Sequence, residues 1–83
     1  MAKKIYEVIV FNDEYGTSFR CRSDIDQATG FTREPNGVIK HEIPEKNQTR
    51  YGYIIAKGNK RDMQLYRDTI MTFTAGLKVK SNG

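Results

Sequence analysis

Two tyrosines and several cations near the C-terminal third of the chain have the chemistry of a binding surface. Tyr51 and Tyr53 lie two residues apart in one β-prone stretch, and Arg50, Lys57 and Lys60 surround them in the sequence. Tyrosine rings can stack on nucleic-acid bases, and arginine and lysine side chains can neutralise phosphates. The spacing therefore indicates an exposed, positively charged surface that acts by binding.

The same chemistry is available on neighbouring predicted strands and at the start of the following helix. The residues that we expect to contact nucleic acid are Arg20, Arg22, Lys40, Arg50, Tyr51, Tyr53, Lys57, Lys60 and Arg61. Alternation along the strand puts Tyr51 and Tyr53 on one face together with Ile55. Either these two rings are exposed, or they face the C-terminal helix as part of the core.

Residues that could catalyse a reaction are few. Cys21 and His41 could approach each other as a nucleophile and its base, because each lies on a predicted strand. Asp24 and Asp26 could hold a divalent cation, but an Asp-x-Asp pair without a third ligand is a weak signal, and turn and capping roles suit both residues. The sequence has no Walker A or Gly-x-Gly-x-x-Gly motif and a single cysteine. We therefore predict no catalytic residue, no metal site, no cofactor and no disulfide.

The charge of the chain is unevenly distributed. The 83 residues carry a net charge of +4, yet residues 50–83 carry +5 and residues 1–49 carry −1. A basic half suggests a polyanion or an acidic protein surface as the partner, although a solvated helix face with a basic tail would give the same totals. With no run of about 20 apolar residues and no signal-peptide core after Met1, we expect a cytoplasmic protein that does not enter a membrane.

The elements that must position these residues follow from hydrophobic periodicity. Strand patterns cover residues 4–11, 17–22, 38–43 and 50–57, and the turns between them contain Asn, Asp, Gly or Pro. A short helical turn is predicted over residues 24–29, and residues 32–37 are expected to be a loop with a turn at Glu34–Gly37. In the second strand, Phe19 and Cys21 are expected to point inward, with Ser18, Arg20 and Arg22 outward.

A C-terminal helix is predicted after Asn59, which is a good N-cap. Its apolar positions recur every three or four residues, as expected for a helix that buries one face against a sheet. They are Met63, Tyr66, Ile70, Phe73 and Leu77. The sequence thus predicts one α+β domain over residues 1–77, a four-stranded antiparallel sheet of two hairpins with one long amphipathic helix packed on one face. Residues 72–76 should weaken the helix, and 78–83 are expected to be a flexible basic tail.

Two short segments resemble known families. The strand from Arg50 to Ile55 is similar to the aromatic ribonucleoprotein-1 strand of RNA-recognition motifs, and the resemblance implies rings that stack on bases. It covers about seven residues and lacks one glycine of that motif, and the early hairpin departs from the fold of that family. Residues Tyr6 to Tyr15 are similar to the first strand and the Asn-Asp turn of the ClpS protease adaptor. The histidine-bearing helices that follow in that family have no counterpart here, so its function does not transfer.

These features favour a small basic accessory protein that binds nucleic acid, with RNA slightly ahead of single-stranded DNA. The alternative is a protein-binding inhibitor or adaptor that uses the same basic face or a sheet edge, such as a phage or plasmid factor that blocks a host protein. A free sheet edge could also pair two copies into a homodimer. We do not expect an enzyme.

Overall fold

The fold is an antiparallel sheet followed by one long helix, and it is taken from a computed structural model. The structure describes the backbone of residues 4–82 and the side chains of residues 4–74. The elements are β1 (Tyr6–Asp13), β2 (Gly16–Arg22), β3 (Phe31–Arg33), β4 (Val38–Ile43), a 3-10 turn (Pro44–Lys46), β5 (Gln48–Gly58) and α1 (Lys60–Asn82). The strand order is β2-β1-β5-β4-β3. The predicted α+β class is confirmed, but the sheet has five strands and not four.

The additional strand is β3, which falls partly within the segment expected to be a loop. Phe31 pairs with His41, and Arg33 pairs with Ile39, so β3 and β4 form a hairpin. The turn at Glu34–Gly37 is confirmed, because the Gly37 amide donates to the Glu34 carbonyl at 3.0 Å. Three residues are too few to show an alternating pattern, and β3 is defined by its partner strand.

The two faces of the sheet are covered by different segments. The loop face carries Ile9, Phe11 and Ile39, and Ile25 from the connection between β2 and β3 closes over them. All four side chains are at most 1% exposed, and they form the main buried cluster. The opposite surface, the helix face, carries Val8, Val10, Tyr51 and Tyr53, as the strand pairing and the alternation of side chains require.

The sequence predicts that the apolar positions of α1 bury one face of the sheet, and this prediction is wrong in its main point. Helix α1 contacts β1, β2 and β5 on the helix face. Within residues 60–74, however, no side chain of α1 is fully buried, and Phe73 is 66% exposed. Leu77 lies outside the residues whose side chains are described. The main core lies on the other face because the long β2–β3 connection supplies Ile25 there.

The predicted directions of the β2 side chains are also corrected, because the main core lies on the loop face. Ser18 pairs with Phe11, and Arg22 pairs with Glu7, so Ser18, Arg20 and Arg22 share the loop face with the main core. Phe19 and Cys21 lie on the helix face, where they are half-buried.

The sheet is curled around the loop face, which brings its two edges together. The Arg22 guanidinium on edge strand β2 lies 4.7 Å from the ring centroid of Phe31 on the opposite edge strand. Arg33 of β3 also reaches across to β1, where it donates to both carboxylate oxygens of Glu7 at 2.8 and 3.1 Å. Glu7 is 7% exposed, and this bidentate ion pair satisfies a carboxylate that would otherwise be costly to bury.

Helix α1 begins as the sequence predicts. The Asn59 side-chain oxygen accepts from the Asp62 amide at 2.8 Å, and the Asn59 amide group donates to the Asp62 carboxylate at 2.9 Å. This reciprocal cap fixes the turn after β5. The helical backbone continues through the expected weak point at residues 72–76 to Asn82, and the side chains of the predicted basic tail lie outside those described. Among the described residues, no helix combines the length and apolarity needed to cross a bilayer.

Candidate nucleic-acid interface

Tyr51 and Tyr53 lie on the open part of the helix face. Their residues are 53% and 61% exposed, so of the two placements left open by the sequence, the structure has the exposed one. Gly52 between them is buried because it lies directly beneath Phe11 on the loop face: a Cβ atom at Gly52 would come within 2.7 Å of the Phe11 ring. The glycine thus lets Phe11 fill the core while the two tyrosines project to the opposite side.

A shallow groove runs beside the two rings. It is lined by Tyr51 and Tyr53 on one side and by the β3–β4 hairpin on the other, with Glu34, Pro35, Asn36 and Val38 as the hairpin residues. Strand pairing places Val38 opposite Tyr53 and Lys40 opposite Tyr51. The Lys40 ammonium is 3.7 Å from the exposed carboxylate of Glu42, which is a loose surface ion pair. Lys40 can therefore exchange this contact for a phosphate.

Lys60 and Arg61 supply further positive charge at the start of α1. Both are exposed, and neither forms an ion pair within the part of the chain described with side chains. Gly58, at the end of β5, lies roughly 17 Å along the strand from Tyr53. These two cations therefore lie at a distance from the rings and extend the positive surface beyond them.

Arg50 lies on the other face and is engaged within the fold. Its guanidinium forms two 2.9 Å hydrogen bonds to the Asp13 carboxylate and donates to the Gly16 carbonyl at 2.8 Å and to the Ser18 hydroxyl at 3.2 Å. It also lies 5.5 Å from the Phe11 ring centroid. The hydrogen bonds from Arg50 lower the pKa of Asp13. Arg50 thus joins β5 to the β1–β2 turn, and four of its five N–H donors are already used.

The remaining predicted cations are also on the loop face. Arg22 binds Asp24 at 2.8 Å and lies over Phe31, and this pairing raises the pKa of Arg22. Arg20 is exposed on β2, and Lys57 is exposed opposite Glu7 on β1. The structure therefore does not gather the nine predicted residues on one surface. It brings Lys40, Tyr51 and Tyr53 together on the helix face.

The residues considered for catalysis are kept apart. Cys21 lies on the helix face opposite Val8, whereas His41 lies on the loop face, stacked on Phe31 at 4.1 Å between ring centroids. Two strands, β1 and β5, separate them, so they cannot act as a nucleophile–base pair. Burial raises the pKa of the Cys21 thiol, and it lowers the pKa of His41, helped by the nearby arginines.

The acidic pair considered for a cation is also occupied. Asp24 binds Arg22, and Asp26 binds Arg33 at 2.9 Å. Hydrogen bonds from these arginines lower the pKa of both carboxyl groups. Within the described residues, no group of three or more His, Cys, Asp or Glu side chains could hold a metal ion.

The sequence did not indicate the groove itself. The Glu34–Gly37 turn and the shared face of Val38 and Lys40 were both predictable, but the register that places Tyr53 beside Val38 depends on the β4–β5 pairing. A hairpin prediction with a fixed register would have found it. Comparison with protein-family models, with curated proteins and with solved structures finds no match to this chain.

Proposed function

We propose that this protein binds single-stranded nucleic acid, with RNA ahead of DNA, through Tyr51, Tyr53 and Lys40 on the helix face of its sheet. The observation that carries the proposal is the exposure of two tyrosines, 53% and 61%, two residues apart on one strand. Exposed aromatic rings on a sheet are a common platform for unpaired bases, and each stacked base contributes roughly 1–3 kcal/mol.

The spacing of the rings fits bases that are not stacked on each other. Side chains two residues apart on a strand are about 6.8 Å apart, roughly twice the separation of stacked bases. Each ring would therefore stack on a separate base, and the nucleic-acid backbone between the two bases would bend over the sheet. A duplex cannot present its bases in this way, which favours single strands.

Positive charge also supports this surface as the binding site, but the two tyrosines remain the main argument. Lys40 is the cation nearest the rings, since it pairs with Tyr51 across β4 and β5. Lys60 and Arg61 would attract the phosphate backbone from a greater distance. We expect moderate affinity with a shallow salt dependence of about −0.7 per phosphate contact, because few cations lie on this face. The proposal includes a cytoplasmic location for the protein.

The test is a titration of fluorescein-labelled single-stranded RNA of mixed sequence, followed by anisotropy at low salt. Tyr53→Ala should weaken binding by roughly 1–3 kcal/mol and leave the salt slope unchanged. Lys40→Gln should reduce the salt slope by about one contact. Tyr15→Ala is the matched control, because Tyr15 is a 48% exposed tyrosine in the β1–β2 turn. Equal losses of binding affinity for Tyr53→Ala and Tyr15→Ala would rule out the proposed surface.

The competing function is binding to a protein. It is favoured by the open edge of the sheet at β2, a seven-residue strand that carries Arg20 and Arg22. An acidic extended peptide could add to this edge as a further strand. If RNA and DNA both fail to bind at low salt while one cellular protein forms a stoichiometric complex, this function replaces the first.

A further inference from the structure

We infer that the groove beside the two tyrosines selects guanine, with Glu34 and Asn36 as the residues that read the base; this inference rests on the proposed binding of single-stranded nucleic acid. The starting point is the register of the sheet. Tyr53 pairs with Val38 on β4, and on the other side of β4 the Glu34 amide donates to the Val38 carbonyl at 2.8 Å. Tyr53, Val38 and Glu34 therefore lie in one row across three neighbouring segments of the chain.

This row leaves room for one base between the tyrosine ring and the carboxylate. Arg33 reaches Glu7 on the loop face, so the next residue, Glu34, falls on the helix face with the tyrosines. Two inter-strand spacings, about 10 Å, separate the backbone of Glu34 from that of Tyr53. The groove has a volume of about 540 Å³, which is ample for one base. A purine that stacks on Tyr53 and lies across Val38 therefore points its outer edge at Glu34.

The Glu34 carboxylate has the chemistry to select among the bases. None of the ion pairs within residues 4–74 involves Glu34, so its two oxygens can accept hydrogen bonds from a ligand. A carboxylate also repels phosphates, so its presence in a nucleic-acid groove is unfavourable unless it contacts a base. Only guanine presents two neighbouring donors, N1–H and N2–H, on its Watson–Crick edge. A single carboxylate can accept from both of them at once.

The other three bases place a lone pair against one of the carboxylate oxygens. Adenine and cytosine each offer one amino group beside a ring nitrogen that is itself an acceptor. Uracil offers its N3–H between two carbonyl oxygens. An acceptor that faces another acceptor loses its water without gaining a hydrogen bond, and this loss is what makes a polar site reject the wrong ligand. Glu34 therefore disfavours these three bases as well as favouring guanine.

Asn36 completes the pattern on the same wall of the groove. Its Oδ1 accepts from the Val38 amide at 3.1 Å, which leaves the NH₂ group of this side chain as the donor for a ligand. A donor next to a carboxylate matches guanine, where the O6 acceptor lies next to N1–H and N2–H. The turn is also preorganised, because the Gly37 amide donates to the Glu34 carbonyl at 3.0 Å and Pro35 has a fixed φ.

Short single-stranded oligouridines with one variable central nucleotide test base selection by the unaltered protein. These strands do not pair with themselves, and fluorescence anisotropy gives the dissociation constant of each. A central guanosine should bind roughly 5- to 100-fold more tightly than a central uridine, adenosine or cytidine, which is the discrimination typical of one bidentate contact. Inosine lacks only the N2 amino group of guanosine. It should bind several-fold more weakly than guanosine, because one of the two hydrogen bonds to the carboxylate is lost.

Glu34→Gln tests the residue that reads the base. Glutamine has one acceptor oxygen and no negative charge, so the preference for guanosine should largely disappear, while binding of the all-uridine strand should stay equal or become tighter. Glu45→Gln is the matched control, because Glu45 is an exposed glutamate beside Pro44, at the opposite end of β4 from the groove. This variant should keep the preference. Circular dichroism checks that both variants are folded.

The outcomes separate this inference from the proposed function. Equal binding of strands with central guanosine and central uridine overturns the selection of guanine but leaves RNA binding in place. So does a preference that Glu34→Gln retains, that inosine shows in full, or that Glu45→Gln removes to the same extent. A protein that binds none of these strands at low salt overturns the proposed function together with the inference.

Discussion

The side chain of Ile25 should contribute more to the free energy of unfolding than any described side chain of helix α1. It lies in the connection between β2 and β3, is 1% exposed, and closes the cluster of Ile9, Phe11 and Ile39 on the loop face. Replacement by alanine removes three carbon atoms, a transfer cost of about 2.4 kcal/mol, to which a partly collapsed cavity adds up to ~1.5 kcal/mol. We therefore expect Ile25→Ala to cost about 2.5–4 kcal/mol.

Phe73→Ala is the contrasting substitution. Phe73 is 66% exposed, so only about a third of its side chain is protected, and alanine favours the helix by up to ~0.7 kcal/mol. The net cost should be below about 1 kcal/mol. Without the structure, the stripe from Met63 to Phe73 would have predicted a cost of about 3–5 kcal/mol for this change.

The assay is urea and thermal unfolding of both variants at low micromolar concentration, followed by circular dichroism. An 83-residue domain has a total stability of roughly 4–12 kcal/mol, so Ile25→Ala should lower the midpoint by roughly 10–25 °C. The assignment of the core to the loop face is refuted if Phe73→Ala lowers the midpoint as much as Ile25→Ala does. This comparison requires that Ile25→Ala still shows a measurable native baseline.

Two other residues give separate predictions. Gly52→Ala should destabilise the fold strongly, with urea unfolding as the measurement, because the new Cβ atom would lie 2.7 Å from the buried Phe11 ring; an unchanged midpoint would contradict this packing. Burial is the main cause that lowers the pKa of His41, and the nearby Arg20, Arg22 and Arg50 lower it further. The unfolded chain therefore binds more protons than the folded chain, and stability should fall as the pH drops through about 6.5. His41→Phe keeps the aromatic contact with Phe31 and should remove this dependence between pH 7 and 5, and a wild-type stability that is flat over that range would contradict it.

The sequence was sufficient for the elements with a strong local signal. The mostly apolar strand β1, the Asn59 cap and the turn at Glu34–Gly37 each depend on residues within a few positions of one another. All three are confirmed, although β1 spans Tyr6–Asp13 and not residues 4–11. The α+β class follows from them. The short strand β3 was missed because its three residues are held by pairing with β4 and carry no periodic signal of their own.

Long-range contacts explain the other differences. Nothing local indicates that Ile25 folds over the loop face, and this single residue moves the main core away from α1. Arg50 has the residue type of a phosphate ligand, but only the approach of the β1–β2 turn shows that Asp13, Gly16 and Ser18 already occupy its guanidinium. For the candidate site, the sequence suggested the two tyrosines that the structure leaves exposed, and the sheet register supplied their neighbours.

The most direct test of the proposed surface is an NMR titration of the ¹⁵N-labelled full chain with single-stranded RNA of mixed sequence. The proposal predicts that the largest amide shifts fall on Lys40, Tyr51 and Tyr53, with smaller shifts at Lys60 and Arg61. Shifts confined to the loop face around Arg20 and Lys57 would place the ligand on the wrong side of the sheet. No shift at millimolar RNA and low salt would contradict nucleic-acid binding altogether.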